Sequence, residues 1–134
     1  LTPIRLKLTY ELSHAKGLID DRNIMVIPPR VATEEEVRLF HTEEYISLVK
    51  RLSKSGHGLL DLCDTPAFKG VYEASAMAVG ATLDAVDAVM KGQADHGMNI
   101  SGGLHHAHED RASGFCVFND PAVAIAYLKK KHHL

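Results

Sequence analysis

Residues 101–120 of this 134-residue chain read SGGLHHAHEDRASGFCVFND, and this stretch decides how the fold and its chemistry are interpreted. Gly102 and Gly103 allow the backbone to turn sharply and to approach a ligand closely. Neighbouring residues of an extended segment point to opposite faces, so only an irregular loop can direct both His105 and His106 into one pocket. The two glycines in front of the pair favour such a loop.

The segments around this stretch predict short strands separated by helices. Ile24–Ile27, which is followed by two prolines, and residues 97–101 have the apolar character of brief strands. Helical spacing of apolar residues, with caps at Thr33 and Thr42, predicts helices over 3–16, 33–40, from 42 onwards, over 70–91 and over 121–131. This order predicts an α/β layered fold with a parallel sheet. The histidine pair would follow the second strand, at the end of the sheet where ligands bind.

The long helix over 70–91 is rich in alanine and contains one internal glycine, Gly80. Glycine in a helix interior costs about 1 kcal/mol relative to alanine, so its presence indicates close packing against a neighbour. We expect the packed stripe of this helix to consist of Val71, Ala74, Ala78, Thr82, Ala85 and Val89. The last helix is expected to turn inward Val123, Ile125, Ala126 and Leu128.

Length and composition narrow the class of protein. With 46% hydrophobic residues, 24% charged residues and a net charge of −2, the chain is one globular domain at most. A near-neutral charge gives no cationic field for nucleic acid. No apolar run approaches the roughly 20 residues that cross a bilayer, and the first residues do not resemble a signal peptide. We therefore expect no membrane partner, a cytoplasmic location and reduced thiols at Cys63 and Cys116.

Five of the nine histidines lie in the last thirty positions, and they include the adjacent pair. Two neighbouring imidazoles suit acid–base chemistry on a polarised carbonyl, because each titrates near neutrality. Metal binding is the alternative, since His106, His108, Glu109 and Asp110 together offer enough donors for zinc. They lack the helical spacing that places two histidines on one face. Spacing alone leaves acid–base, metal-binding and structural roles open.

The stretch from 101 to 120 resembles the signature of the zinc-dependent histone deacetylase family. Its prokaryotic members include acetoin-utilisation-type deacetylases and acetylpolyamine amidohydrolases. The pattern Gly-Gly-x-His-His followed by Ser-Gly-Phe-Cys carries the resemblance, and Arg5, FHTEEY at 40–45 and CDTP at 63–66 extend it in the family's order. Leu104 and NDPAV at 119–123 are closer to the prokaryotic branch. The resemblance implies that 1–134 is a single partial domain, the helix-rich amino-terminal portion of the three-layer α/β/α arginase/deacetylase fold with an incomplete parallel sheet.

The resemblance also implies roles for individual residues. His106 would be the general base that takes a proton from zinc-bound water, and His105 would position that water and stabilise the developing charge. Phe115 would form a wall of the acyl-lysine tunnel, the Gly114 carbonyl would accept the substrate amide N–H, and Asp64 would hold the substrate backbone at the rim. The inner cavity would be lined by Arg5, Gly102, Gly103 and Cys116. Two further residues are expected to be structural: His41, as a hydrogen-bonded histidine, and Phe118, as a core residue.

The family's other catalytic groups have no counterpart in these 134 residues. In the family, zinc is held by an Asp-x-His pair after the next strand and by a later aspartate. The carboxylates that orient the two histidines and a transition-state tyrosine also lie further along. Without them we expect this chain alone to bind no zinc at the family site, to catalyse no deacetylation, and to leave both imidazoles without an imposed tautomer.

The resulting functional hypothesis is the amino-terminal part of a zinc-dependent deacetylase. Its parent enzyme would hydrolyse N-acetyl groups from acetyl-lysine or from small acetylated amines, with zinc as cofactor. Two alternatives stay open at this point. The chain could be a non-enzymatic module that forms a homo-oligomer, or it could be one half of a split enzyme that a carboxy-terminal fragment completes.

Overall fold

The computed structural model describes residues 3–20, 22, 24–61 and 65–132, and these residues form five α-helices. The helices are α1 (Pro3–Ala15), α2 (Glu34–Val37), α3 (Glu43–Ser55), α4 (Val71–Met90) and α5 (Asp120–His132). All five predicted helices are therefore confirmed, with α2 shorter than expected. None of the helices in the described part of the chain is long and apolar enough to cross a membrane.

The helix ends are fixed by the local signals that the sequence contains. The Thr33 side chain accepts a hydrogen bond from the backbone N–H of Glu36, and the Glu36 carboxylate accepts one from the N–H of Thr33 at 2.8 Å. Thr42 caps α3 in the same way by accepting from the N–H of Tyr45. The other end of α3 is closed by Gly56, whose φ of 76° lies in the left-handed region that favours glycine.

The core lies where α3, α4 and α5 meet around Phe118. The Phe118 ring is completely buried and makes edge contacts with the rings of Tyr45 and Tyr72. The Tyr45 hydroxyl donates to the carbonyl of Val117 at 2.8 Å. Other fully buried apolar side chains in the described residues include Val37, Ile46, Val49, Val71, Ala76, Val79, Leu83 and Val123. Phe118 is thus a core residue, as predicted, and it anchors the segment that immediately follows the candidate site.

The buried face of α4 differs from the predicted stripe. Ala74 and Val89 are exposed, and in α5 the Ile125 side chain is 61% exposed. The residues that α4 buries are Val71, Ser75, Ala76, Ala78, Val79, Gly80, Leu83 and Ala88. The stripe prediction is wrong at these positions because α4 is covered from several sides, by α3, by α5 and by residues 30–32. Its buried face is therefore wider than one stripe and rotated from the predicted one.

The two predicted strands do not form in the described residues. Residues 24–27 and 97–101 adopt no strand, and the only β-bridges in the described ranges are the isolated pairs Leu59–Pro66 and Ser113–Cys116. An extended segment becomes a strand only when another segment supplies the ladder of backbone hydrogen bonds. Here Ile24–Ile27 is exposed and the Met98 side chain is 84% exposed. The parallel sheet expected from the sequence is therefore not found in this part of the fold.

Gly80 lies against a neighbouring segment, as its position within a helix predicts. A Cβ atom at this residue would lie 2.1 Å from the carbonyl oxygen of Arg30 and 2.9 Å from the backbone nitrogen of Ala32. The segment is held there by a hydrogen bond of 2.9 Å from the N–H of Ala32 to the carbonyl of Ala76. The Arg30 guanidinium also bonds to Glu36 and to Asp84 of α4, each at 2.8 Å. Only glycine permits this approach.

We predict that Gly80→Ala destabilises the protein even though alanine is the better helix former. Inserting a methyl group into a packed contact typically costs about 1–3 kcal/mol, which exceeds the gain of about 1 kcal/mol in helix propensity. Urea denaturation followed by circular dichroism measures the change. Ala74→Gly, at an exposed position of the same helix, is the control that reports helix propensity alone. A Gly80→Ala protein as stable as the wild type would contradict the close approach.

Candidate functional site

The two adjacent histidines lie side by side on the surface with their rings tilted towards each other. The centroids of the His105 and His106 rings lie 4.4 Å apart with an angle of 32° between the ring planes, and both side chains are exposed. A turn, rather than extended backbone, brings both rings to the same side, and Gly103 enters it with a left-handed φ of 82°. The pair borders an open hollow of about 390 Å³ that is also lined by Phe40, Ala107, His108, Glu109, Asp110 and Arg111.

The tautomer of His105 is imposed by the protein backbone. Its Nδ1 atom lies 2.9 Å from the carbonyl oxygen of Gly103. Because a carbonyl oxygen can only accept, Nδ1 carries the hydrogen and Nε2 of the neutral ring is free to take up a proton. The prediction that neither imidazole has an imposed tautomer is therefore wrong for His105. The sequence could not show this partner, since it is a main-chain group that only the turn brings into reach.

A tight hairpin turn lies against the second histidine. Ser113 and Cys116 exchange two backbone hydrogen bonds, of 3.1 and 2.8 Å, around Gly114 and Phe115. Both central residues have positive φ, 53° for Gly114 and 65° for Phe115, as a two-residue turn of type I′ requires. A Cβ atom on Gly114 would lie 3.1 Å from Cγ of His106. A side chain at residue 114 would therefore crowd the His106 ring, and the next residue, Phe115, is 60% exposed.

The first residue of α5, Asp120, binds the loop that carries the histidines. This carboxylate is 1% exposed and accepts hydrogen bonds from the N–H groups of Gly103 at 3.0 Å and Leu104 at 2.8 Å, and from the Thr82 hydroxyl at 2.6 Å. A Cβ atom on Gly102 would lie 2.5 Å from the same carboxylate. Sequence reasoning did not single out Asp120, because an aspartate followed by proline is ordinary at a helix start.

Asn119 holds the other side of the same loop. Its side-chain amide donates to the carbonyl of His105 at 3.2 Å and to that of Ala107 at 2.9 Å. Its side-chain oxygen accepts from the N–H of Ala122 at 3.0 Å in the first turn of α5. Asparagine and aspartate at the start of a helix are a recognisable signal, but the signal indicates a cap and not the loop that the two side chains bind.

His41 connects the loop to the rest of the core. Its Nε2 accepts the backbone N–H of Asn119 at 2.9 Å, so its Nδ1 carries the hydrogen and donates to the carbonyl of Glu109 at 3.3 Å. Burial lowers the pKa of His41 from 6.5 to about 4, because the charged ring would lose its hydration. The ring is therefore neutral near pH 7. The prediction of a structural, hydrogen-bonded histidine is confirmed.

The remaining predicted site residues lie in different surroundings. Cys116, the last residue of the hairpin turn, is a free thiol and is buried. Arg5 lies exposed on α1, a helix that buries none of its described side chains, and it does not line the hollow beside the histidines. Asp64 and Cys63 lie outside the described residues. The functional roles of these residues, like those of Gly102, Gly103, Gly114 and Phe115, stay predictions.

The described residues do not form a zinc site by themselves. Within the ranges that the structure describes, no group of three or more histidine, cysteine, aspartate or glutamate side chains could hold a metal ion. The four donors considered from spacing, His106, His108, Glu109 and Asp110, are all exposed, and Asp110 pairs with Arg111 at 3.0 Å. In the described part of the chain these four side chains are not gathered into a group of three or more donors.

Most of this chain superposes on solved structures of HDAC homologues. Two solved structures, an HDAC homologue complexed with SAHA and an HDAC homologue from Aquifex aeolicus, each superpose with a TM-score of 0.74 at 35% sequence identity. Each match covers 89% of this chain and 33% of the solved chain. The fold family implied by the sequence is confirmed, for a helix-rich part of it.

Sequence comparison gives the same family. The histone deacetylase domain matches residues 1–134, and the chain therefore belongs to the histone deacetylase family. It is similar to the acetoin utilization protein AcuC of Bacillus subtilis (strain 168), with 47% identity over 96% of this chain and 34% of that protein. The AcuC protein of Staphylococcus xylosus is 38% identical over 97% of this chain and 35% of its own length. The chain thus spans about a third of the length of these curated relatives.

We predict that His41 makes the protein less stable as the pH falls from about 6.5 to about 4. In this window the unfolded state binds a proton at residue 41 and the folded state does not, so the free energy of unfolding decreases. At about 1.4 kcal/mol per pKa unit, the loss is roughly 3 kcal/mol. Urea denaturation at several pH values measures it.

The comparison with His41→Gln isolates this contribution from those of the carboxyl groups. We expect His41→Gln to be less stable at pH 7, because Asn119 and Glu109 lose their partner, and to lose less stability on acidification. His57→Gln, which removes an exposed histidine, should keep the wild-type pH dependence. An unchanged dependence in His41→Gln would show that this ring does not titrate in the window.

Proposed function

We propose that this chain supplies the acid–base part of a deacetylase that hydrolyses N-acetyl groups from acetyl-lysine or from small acetylated amines. The observation that carries the proposal is the histidine pair, whose rings are 4.4 Å apart and exposed at an open hollow. Membership of the histone deacetylase family supports it. Because the chain spans about a third of its relatives, the activity is proposed for a longer protein or complex that contains these residues.

The reaction needs two proton transfers that a histidine pair can perform. Water must lose a proton as its oxygen bonds to the acetyl carbon, and the amine must gain one as the C–N bond breaks to give acetate and free amine. A neutral imidazole accepts the first proton, and an imidazolium can donate the second. We assign the base to His106. The contact with Gly103 leaves Nε2 of His105 without a hydrogen, so this atom would accept a hydrogen bond from the same water.

The substrate would lie against the hairpin turn. Gly114 lies so close to His106 that a Cβ atom there would be 3.1 Å from Cγ of the ring, and this closeness supports an amide site at its carbonyl next to the proposed base. The exposed Phe115 ring beside it offers an apolar wall for the aliphatic part of an acyl-lysine. The remaining roles in the proposal rest on the family resemblance alone. They are a rim position for Asp64 and an inner cavity lined by Arg5, Gly102, Gly103 and Cys116.

Zinc, the cofactor that the resemblance implies, does not fit the donors in the described residues. Its ligands would come from outside these residues, and no proton transfer above depends on how they are arranged. We therefore propose that the 134-residue chain catalyses no deacetylation alone. Catalysis would require the groups that occupy the other two thirds of its relatives, whether in the same polypeptide or in a complementing carboxy-terminal fragment.

We predict that joining the chain to those groups produces activity. The 134 residues alone should not turn over an acetyl-lysine peptide or an acetylated polyamine with added zinc. A chimera in which they replace the matching third of the Bacillus subtilis relative should hydrolyse at least one of these substrates, and chelation should abolish the activity. Released acetate is the readout. Turnover by the isolated chain, or an inactive chimera beside an active parental relative, would contradict the proposal.

We predict that His106→Ala in the chimera lowers kcat by about 10²- to 10⁴-fold, the usual contribution of a positioned acid–base group. The fall should not come from unfolding, because the His106 ring is exposed and forms no hydrogen bond with another described residue. Thermal denaturation checks this point. His57→Ala, which removes an exposed histidine elsewhere, should keep wild-type activity. If kcat of the His106→Ala chimera falls by less than tenfold, His106 is not the general base.

A further inference from the structure

We infer that Asp120 orients His105 through the peptide bond between Gly103 and Leu104. The inference deepens the proposed function, on which its catalytic meaning rests. Asp120 does not touch the histidine ring and is therefore a positioning residue. Asp120 would determine which ring nitrogen of His105 carries the hydrogen and in which direction the other nitrogen points.

The connection runs through a single peptide unit. The N–H of Leu104 donates to one carboxylate oxygen of Asp120 at 2.8 Å. The carbonyl of Gly103, at the other end of the same planar unit, accepts from Nδ1 of His105 at 2.9 Å. Hydrogen bonds in a chain polarise one another, and those to a charged acceptor are the stronger ones. The carboxylate therefore strengthens the carbonyl as an acceptor and favours the hydrogen on Nδ1.

The carboxylate is held rigidly enough to act in this way. Its second oxygen accepts from the N–H of Gly103 at 3.0 Å and from the hydroxyl of Thr82 on α4 at 2.6 Å. The Thr82 oxygen in turn accepts from the side-chain amide of Asn99 at 2.9 Å. These atoms leave no room for a side chain at residue 102. At the start of α5, Asp120 is therefore held by α4 and by the loop, and its carboxylate cannot turn away without leaving a buried charge unpaired.

The backbone on the other side of His105 is fixed as well. Asn119 binds the carbonyls of His105 and Ala107, so the turn is held before and after the ring by two consecutive residues. With the backbone immobile, the contact between Nδ1 and Gly103 sets the ring, and Nε2 is directed away from that carbonyl. Asp120 thereby acts on His105 through a peptide group within the 134-residue chain, separately from the carboxylates that the family resemblance places further along.

The tautomer of His105 tests this inference on the 134-residue chain itself. Long-range ¹H–¹⁵N spectra of histidine-labelled protein at a pH where the rings are neutral distinguish Nδ1–H from Nε2–H, and His105→Asn assigns the signals. We expect the Nδ1–H form in the wild type and a shift towards Nε2–H in Asp120→Asn. Asp87→Asn, which removes a different carboxylate, on α4, should resemble the wild type. An unshifted His105 in folded Asp120→Asn overturns the inference.

Thr82 provides a milder change if Asp120→Asn does not fold. Thr82→Val removes one of the three hydrogen bonds to the carboxylate and should produce a smaller shift in the same direction, whereas Thr82→Ser keeps the hydroxyl and should restore the wild-type spectrum. Circular dichroism establishes that each variant is folded. If Thr82→Val leaves the tautomer of His105 unchanged, the carboxylate does not control the ring.

Activity is measured separately so that the two proposals can fail independently. In the chimera we expect Asp120→Asn to lower kcat by about 10- to 100-fold, the usual effect of removing a group that orients a site residue, with little change in KM. A tautomer shift in the free chain with an inactive wild-type chimera would overturn the proposed function and leave the positioning intact. Unchanged kcat in a folded, active Asp120→Asn chimera would show that the positioning has no part in catalysis.

Discussion

The buried carboxylate of Asp120 is the interaction on which the rest of the site depends. It accepts hydrogen bonds from the loop at 103 and 104 and from Thr82 on α4, and it lies at the first residue of α5. A buried charge without these partners would be costly. The packing of α4 against α5 is therefore coupled to the shape of the histidine loop. Neither can change without breaking hydrogen bonds to the two carboxylate oxygens of Asp120.

A second set of buried hydrogen bonds extends this constraint to the start of α3. His41 accepts from the backbone of Asn119 and donates to the carbonyl of Glu109, so two motifs about 70 residues apart meet at one ring. The N–H of Thr42 also donates to Glu109 at 3.0 Å, just before α3 begins. The motif at 40–45 thus acts on the site mainly through the backbone that it holds, and Phe40 alone among its residues lines the hollow.

The parts of this structure that the sequence predicts are those fixed by local chemistry. The caps at Thr33 and Thr42, the glycine that brings residues 30–32 onto α4 and the irregular histidine loop are each specified within a few residues. The predictions that were wrong concern features that depend on residues far away in the sequence. The strands at 24–27 and 97–101 need a neighbouring strand, and the buried face of α4 depends on how many elements cover it. Asp120 was missed because its role depends on a loop 16 residues before it.

In the histidine loop, the peptide groups hold the loop in place and the imidazole rings are available for chemistry. The imidazoles of His105 and His106 are exposed and face open space, whereas the peptide groups around them are bonded to the buried side chains of Asn119 and Asp120. Because the chain's own groups supply these bonds, the backbone of the pair is already ordered before a ligand arrives. A substrate, or a ligand group from the rest of a longer protein, would meet rings whose attachment points are fixed. Less conformational entropy is then lost on binding than with a mobile loop, and the arrangement of the pair is a property of these residues.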